Sequence, residues 1–298
     1  MTPDSLFDLA SSPNTPPEQL LELATHTDAK IRQLVAANFS TPPQALWALG
    51  EEFPEQLFAN HRLRLLLLEE PNLIYWIPLS TLIRLFEFET VPDYLKQALM
   101  QADSMLQGDI ASQPQTAASV LEGLALHGDE WVREAIAHHK NIPINTLLQL
   151  AADPVMQVRE GVARNPNSPA SALQQLASDP HQRIRWAVAR HEQTSVATLL
   201  QLACDPDIDV RIAIANHPHT PVGTLLQLAT DPEGEVKRAI ALNPRTPISI
   251  LEQFANEGDR AIQEALLNNR NLPDRLIEPL ARKLENSIPI TIQFDPYP

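Results

Sequence analysis

The sequence predicts an all-α fold, a solenoid built from two-helix units of 26 residues, and three observations predict it. Val132-Arg133, Val158-Arg159, Ile184-Arg185, Val210-Arg211 and Val236-Lys237 recur at a constant step of 26. Leu147, Leu173, Leu199, Leu225 and Leu251 keep that step, as do Ala151, Ala177, Ala203, Ala229 and Ala255. Whole columns at such a period are the signature of stacked helical repeats. The third observation is proline usage: 27 prolines stand among regular Leu, Ile, Val and Ala. A disordered chain that rich in proline would be poor in aliphatics, so the prolines read as punctuation between short helices.

Regular units occupy 6–50 and 106–287, and irregular units fill about 51–105. Residues 1–287 thus read as one repeat solenoid, followed by an extended tail at 288–298. Within a unit, Thr220-Pro221 and Thr246-Pro247 predict a hydroxyl N-cap followed by proline at the first helical position. Thr15-Pro16, Thr41-Pro42 and Ser168-Pro169 repeat the signal. The helix after this joint would bury Leu147, Leu150 and Ala151, spaced i, i+3, i+4. The second helix is expected to start at the Asp-Pro pair (Asp153, Asp179, Asp205, Asp231) and to bury Val210, Ala213 and Ile214. Helices of about ten residues are too short to stand alone, so stacking must supply most of the burial.

Two stretches break the pattern. Eight of the fifteen aromatic residues lie between Trp47 and Tyr94, where the register slips. The favoured reading makes them the core of degenerate units; the alternative is a docking surface, since aromatics anchor interfaces. On that alternative Tyr75, Trp76, Phe86 and Phe88 are partner-binding candidates, joined by Trp131 and Trp186 at otherwise small or polar positions of the second helices. In the tail, Ile288 to Phe294 alternates apolar and polar residues over most of its length, an extended pattern for which a cap on the last unit is favoured over strand addition to a partner or a second copy.

The run Ala163-Arg164-Asn165-Pro166-Asn167-Ser168-Pro169, then Leu173, Leu176-Ala177 and Asp179-Pro180, resembles the leucine-rich repeat variant family. Ala215 to Pro221 and Ala241 to Pro247 repeat its wording, and the likeness extends over roughly 80 % of the chain. The resemblance implies a right-handed superhelix of α-helices alternating with shorter, partly 3₁₀ helices. The Asp-Pro…Val-Arg half is also similar to HEAT-type repeats. Some family members hold an iron–sulfur cluster on N-terminal cysteines; Cys204 is the only cysteine here, so that chemistry is not carried over.

Three polar columns need an account. Arg133, Arg159, Arg185 and Arg211, continued by Lys237, lie six residues after the Asp column, and pairing between layers is favoured over a basic binding stripe. Asn38, Gln113, His139, Asn165, His191, His217, Asn243 and Asn269 are expected to satisfy backbone groups in turns. Histidines one layer apart are too distant to share a metal ion, given helix spacings of roughly 8–10 Å. Gln149, Gln175, Gln201 and Gln227 read equally well as a peptide-binding row or a solvated face.

The function classes narrow accordingly. No nucleophile elbow, glycine-rich phosphate loop or His-Glu-x-x-His motif occurs, so no catalytic residue, cofactor or metal is expected. A formal charge of −15 argues against nucleic acid as partner. The most apolar stretch, Leu63 to Leu68, is interrupted by Arg64 and too short to span a bilayer. The start, Met1-Thr2-Pro3-Asp4, lacks a secretory pattern. The expectation is a cytoplasmic, non-enzymatic scaffold for a protein or peptide partner, monomeric or weakly self-associating. The alternative is a HEAT-related lyase or chaperone-like enzyme with its site in the irregular segment 51–101.

Overall fold

The computed structural model describes residues 3–286, and among these every regular element is a helix. The expected tail at 288–298 lies outside the described residues. The chain divides into two units, Met1–Asn167 and Ser168–Pro298.

The second unit shows the repeat at its most regular. First helices Ala170–Leu176, Val196–Leu202 and Val222–Leu228 alternate with second helices Gln182–Arg190, Ile208–Asn216 and Gly234–Leu242. Ile248–Asn256, Arg260–Leu267 and Asp274–Asn286 continue the series. Each second helix packs directly on the next, and each is tied to its own first helix. Val210 and Ile214 on one layer, and Val236 and Ile240 on the next, lose all contact with water. Burying such an aliphatic side chain contributes about 1.5–3 kcal/mol, a gain no seven- or nine-residue helix could secure by itself. The first helices supply Leu199, Leu202 and Ala203 to the same core, at the spacing read from sequence.

Proline and threonine divide the labour differently from the expectation. Proline stands at the N-cap itself in Val222–Leu228 and Ile248–Asn256, with extended ψ near 148° and 144°. The threonine before it faces backwards: the Thr220 hydroxyl donates to the Ile214 carbonyl and the Thr246 hydroxyl to the Ile240 carbonyl, both at 2.6 Å. Thr15, Thr41, Thr116 and Thr194 do the same to the carbonyl six residues upstream. The hydroxyl therefore satisfies a carbonyl orphaned at the end of the preceding helix. Where Ser195 replaces the N-cap proline, its hydroxyl accepts from the Thr198 amide in the ordinary capping manner. The Asp of each Asp-Pro pair is likewise not the N-cap. It precedes the cap by two residues and accepts that residue's amide, as Asp205 does from Asp207 and Asp231 from Glu233.

The first unit carries regular layers at both ends. Pro3–Ser11 packs on Ala29–Ala37, and Ser104–Ala111, Glu130–Ala137 and Met156–Arg164 stack in succession. Gly161 occupies a column filled by Ala135 in the layer before it, and a β-carbon there would lie 2.8 Å from that of Ala137. Valine at 161 is expected to destabilise the chain by about 2 kcal/mol through overpacking, read from the thermal or urea midpoint. Between the regular ends, Pro54–Ala59 packs on Ala29–Ala37 as a shortened second helix. Then come the extra helix His61–Glu69, a 3₁₀ helix Pro71–Trp76, and Leu79–Phe86. Asp93–Gln101 packs against His61–Glu69, against the 3₁₀ helix, and against Ala118–His127.

Candidate interaction surfaces

The ionic column is spent inside the stack. Arg211 donates from Nε and Nη2 to the two carboxylate oxygens of Asp231, at 2.7 and 3.2 Å, and from Nη1 to the carbonyls of Asp205 and Pro206. Arg185 engages Asp205, and Arg133 engages Asp153, in the same two-pronged way. Asp231 raises the pKa of Arg211, chiefly through that hydrogen bond. The ladder expected from sequence is therefore present, and these arginines form no free basic stripe. Arg32 paired with Glu52 is a rung that column reading missed. Gln107 and Gln263 stand one step before Arg133 and one after Lys237, and their amides reach carbonyls at the end of the preceding helix.

The Asn/His column also performs its expected role. Asn165 Nδ2 donates to the carbonyls of Ala137 and His139, while its oxygen accepts from the Asn167 amide. His217 reproduces the pattern: Nδ1 accepts from the His219 amide at 3.1 Å, so Nε2 carries the proton and donates to the His191 carbonyl at 3.2 Å. Gln113 departs from the column, reaching only the Asp109 carbonyl of its own helix. Asn60 fills the role in the irregular segment, donating to Ala36 and Asn38.

Burial lowers the His217 pKa below its ordinary value of 6.5. Between the two values the unfolded chain binds more protons than the folded one. The stability His217 supports is therefore complete above about pH 6.5 and lost as pH falls through the folded pKa. Replacing His217 with Asn, which forms the same bonds in other layers, is expected to remove this share of the acid sensitivity. Urea midpoints at pH 5.5 and 7.5 would test it; an unchanged difference between them refutes the assignment.

The candidate binding residues scatter. Phe86 is fully buried, so it is corrected to a core residue; aromatic size is needed where the irregular segment lacks regular Leu columns. Phe88 is half-buried, set edge-on against Phe58 at 5.8 Å with the Arg84 guanidinium over its ring. Trp186 is half-buried beneath the Arg190 guanidinium at 4.7 Å, beside an open hollow of about 400 Å³ bordered by Ile212, Asn216 and His217. Tyr75, Trp76 and Trp131 project outward. Gln149 and Gln175 are exposed; Gln201 donates to Ser178 Oγ and Gln227 to Cys204 Sγ, so those two amides are used within the stack.

Sequence reading missed a row of exposed aliphatics on the first helices of the second unit. Val196, Val222 and Ile248 stand at the first helical position of successive units, and Leu200 and Leu226 one turn later. All five are between 43 and 54 % exposed. Their signal was available, since they keep the step of 26, but they lie beside the buried Leu columns and merge with them on a first reading.

The leucine rich repeat variant family model matches residues 157–181 and 208–233. Those two stretches are similar to leucine-rich repeat variant units. In the second of them the matched stretch contains the buried Val210, Ala213 and Ile214, the Thr220-Pro221 joint and the Asp231 rung. A solved structure described as a leucine-rich repeat variant with a novel repetitive protein structural motif aligns with a TM-score of 0.50 at 18 % identity. The alignment covers 82 % of this chain and 87 % of that one, and the shared feature is the fold. No curated protein matches. Among the described residues no group of His, Cys, Asp and Glu is placed to hold a metal ion. Among them, too, no helix is long and apolar enough to cross a membrane. Exposed on the surface are the aliphatic row Val196, Leu200, Val222, Leu226 and Ile248, the aromatics Tyr75, Trp76 and Trp131, and the amides of Gln149 and Gln175.

Proposed function

We propose that this protein is a non-enzymatic interaction scaffold whose repeat surface binds a protein or peptide partner. The observation that carries this reading is the aliphatic row Val196, Leu200, Val222, Leu226 and Ile248. Large apolar side chains are held in register on an outer face whose inner face already supplies the core. Exposed apolar patches on a folded protein mark interaction sites. The test is covalent cross-linking in native lysate, comparing the wild type with the double variant Val222→Glu/Leu226→Glu. A specific cross-linked partner should be lost from the variant while its helical circular dichroism is retained. Identical partners in both, or none in either, would count against the scaffold.

A second reading, a HEAT-related lyase or chaperone-like enzyme, draws on an open hollow of about 580 Å³ in the irregular segment. Its lining includes His61, Arg64, Asp93 and Tyr94, but not Tyr75 or Trp76. Burial pushes the Tyr94 phenol up to about 12, and its hydroxyl faces the Phe58 carbonyl. Tyr94 thus keeps its proton at neutral pH and is a poor general base. The scaffold reading stands ahead.

A further inference from the structure

We propose that Tyr75, Trp76, Met105 and Trp131 form a docking ridge for a basic amphipathic peptide segment of a partner protein. The proposal rests on the scaffold reading and gives one of its surfaces a partner chemistry. Trp76, Met105 and Trp131 are 74, 77 and 71 % exposed. Trp76 ends the 3₁₀ helix Pro71–Trp76, while Met105 and Trp131 stand on Ser104–Ala111 and Glu130–Ala137, which pack on each other. A hydrogen bond ties the 3₁₀ helix to the start of Ser104–Ala111. The Tyr75 hydroxyl accepts from the amide of Asp103, the N-cap of Ser104–Ala111, at 2.6 Å. Met105 and Trp131 are 26 residues apart, so they occupy one column on stacked helices. Aromatic residues and methionine are the side chains enriched at interface cores. Exposing three of them in sequence is costly unless something covers them.

Charge identifies the cover. From Glu69 to Trp131 the chain carries ten carboxylates and two cations, Arg84 and Lys96. Both cations are already paired, with Glu87 and Asp93. Asp103, Asp129 and Glu130 border the ridge directly, and Glu69-Glu70 lead into the 3₁₀ helix. The neighbouring Ser104 side chain and the amides of Val132 and Trp131 lower the Asp129 pKa, so it stays charged. An apolar ridge inside an acidic border complements a helix with one apolar face and lysine or arginine flanks. A second copy would bring the same carboxylates, and an anionic membrane would be repelled.

Isothermal titration with a synthetic leucine–lysine peptide patterned as an amphipathic helix tests the proposal on the full chain. A scrambled peptide of equal composition and a leucine–glutamate version serve as controls. The patterned cationic peptide should bind saturably, at least about tenfold more tightly than either control (a 1.4 kcal/mol difference). Binding should weaken by a similar factor in Met105→Ser/Trp131→Ser and fall with added salt. Both substituted side chains are solvent-exposed, and unchanged circular dichroism would confirm the fold. Equal affinity for patterned and scrambled peptides, or for wild type and variant, would reduce the effect to net charge and overturn the ridge. So would absence of binding at low salt. A wild-type dimer in light scattering that the double variant dissolves would assign the ridge to a second copy, again against the proposal. If the ridge fails while Val222→Glu/Leu226→Glu still abolishes a cross-linked partner, the scaffold survives and this surface does not.

Discussion

Replacing Arg211 with alanine is expected to lower stability by about 2–3 kcal/mol. Three consequences combine. The Asp231 carboxylate, with its side chain 6 % exposed, loses both arginine prongs and keeps only the Glu233 amide. The carbonyls of Asp205 and Pro206 lose their shared donor. The layer containing Asp231 loses its charged tie to the layer before it. Breaking a fully buried pair from one side costs about 3–5 kcal/mol; the Arg211 side chain is 13 % exposed, so water offsets part of that. Arg211→Lys should recover only a fraction, because an ammonium cannot span both carboxylate oxygens and the two carbonyls in one plane. Urea midpoints with the slope held constant provide the measurement. A loss below about 0.5 kcal/mol, the size of an exposed ion pair, would show that the rung does not hold the layers.

Asn165→Ala should have a comparable effect, about 2–3 kcal/mol, for a different reason. Asn165 is buried, and no charge is involved. Its amide serves two carbonyls of the preceding layer while its oxygen serves the Asn167 amide. Alanine strands three backbone groups, and an unsatisfied buried group costs about 1–3 kcal/mol, with some relief as the turn relaxes. Asn165→His should recover most of the loss at pH 7.5, since His217 shows imidazole donating and accepting in this geometry. The rescue should fade toward pH 5.5, where protonation of Nδ1 removes the acceptor. Hydrogen exchange of the Asn167 amide reports the same bond locally.

The period, the helical class, the buried columns and the ionic ladder were all legible in the sequence because each repeats in step with the layers. Direction was not. Thr220 next to a proline looks like the cap of the next helix, yet it closes the preceding one; the distinction depends on backbone torsions that composition does not encode. Phe86 and Trp76 illustrate the limit at the candidate surface. Both are aromatics in the same irregular stretch, and only the packing of Leu79–Phe86 sends one inward while the 3₁₀ turn sends the other out. Met105 stands one step of 26 before Trp131, so its column was readable, but its exposure was not. The row Val196, Val222 and Ile248 is periodic but indistinguishable in sequence from more core.

The polar ties are addressed by counting along the chain. Arg133, Arg185 and Arg211 each reach an aspartate 20 residues ahead; Asn38, Asn165 and Asn269 each reach a carbonyl 28 residues back. A copying accident that inserts or removes one whole unit returns every such side chain to an equivalent partner, wherever the break falls. A change of one residue misdirects all ties that cross it. Such a chain can lengthen or shorten by units through ordinary gene duplication while its joints stay intact. The stretch around Asn60, which reaches Asn38 across only 22 residues, marks where that count was lost and new contacts had to take over.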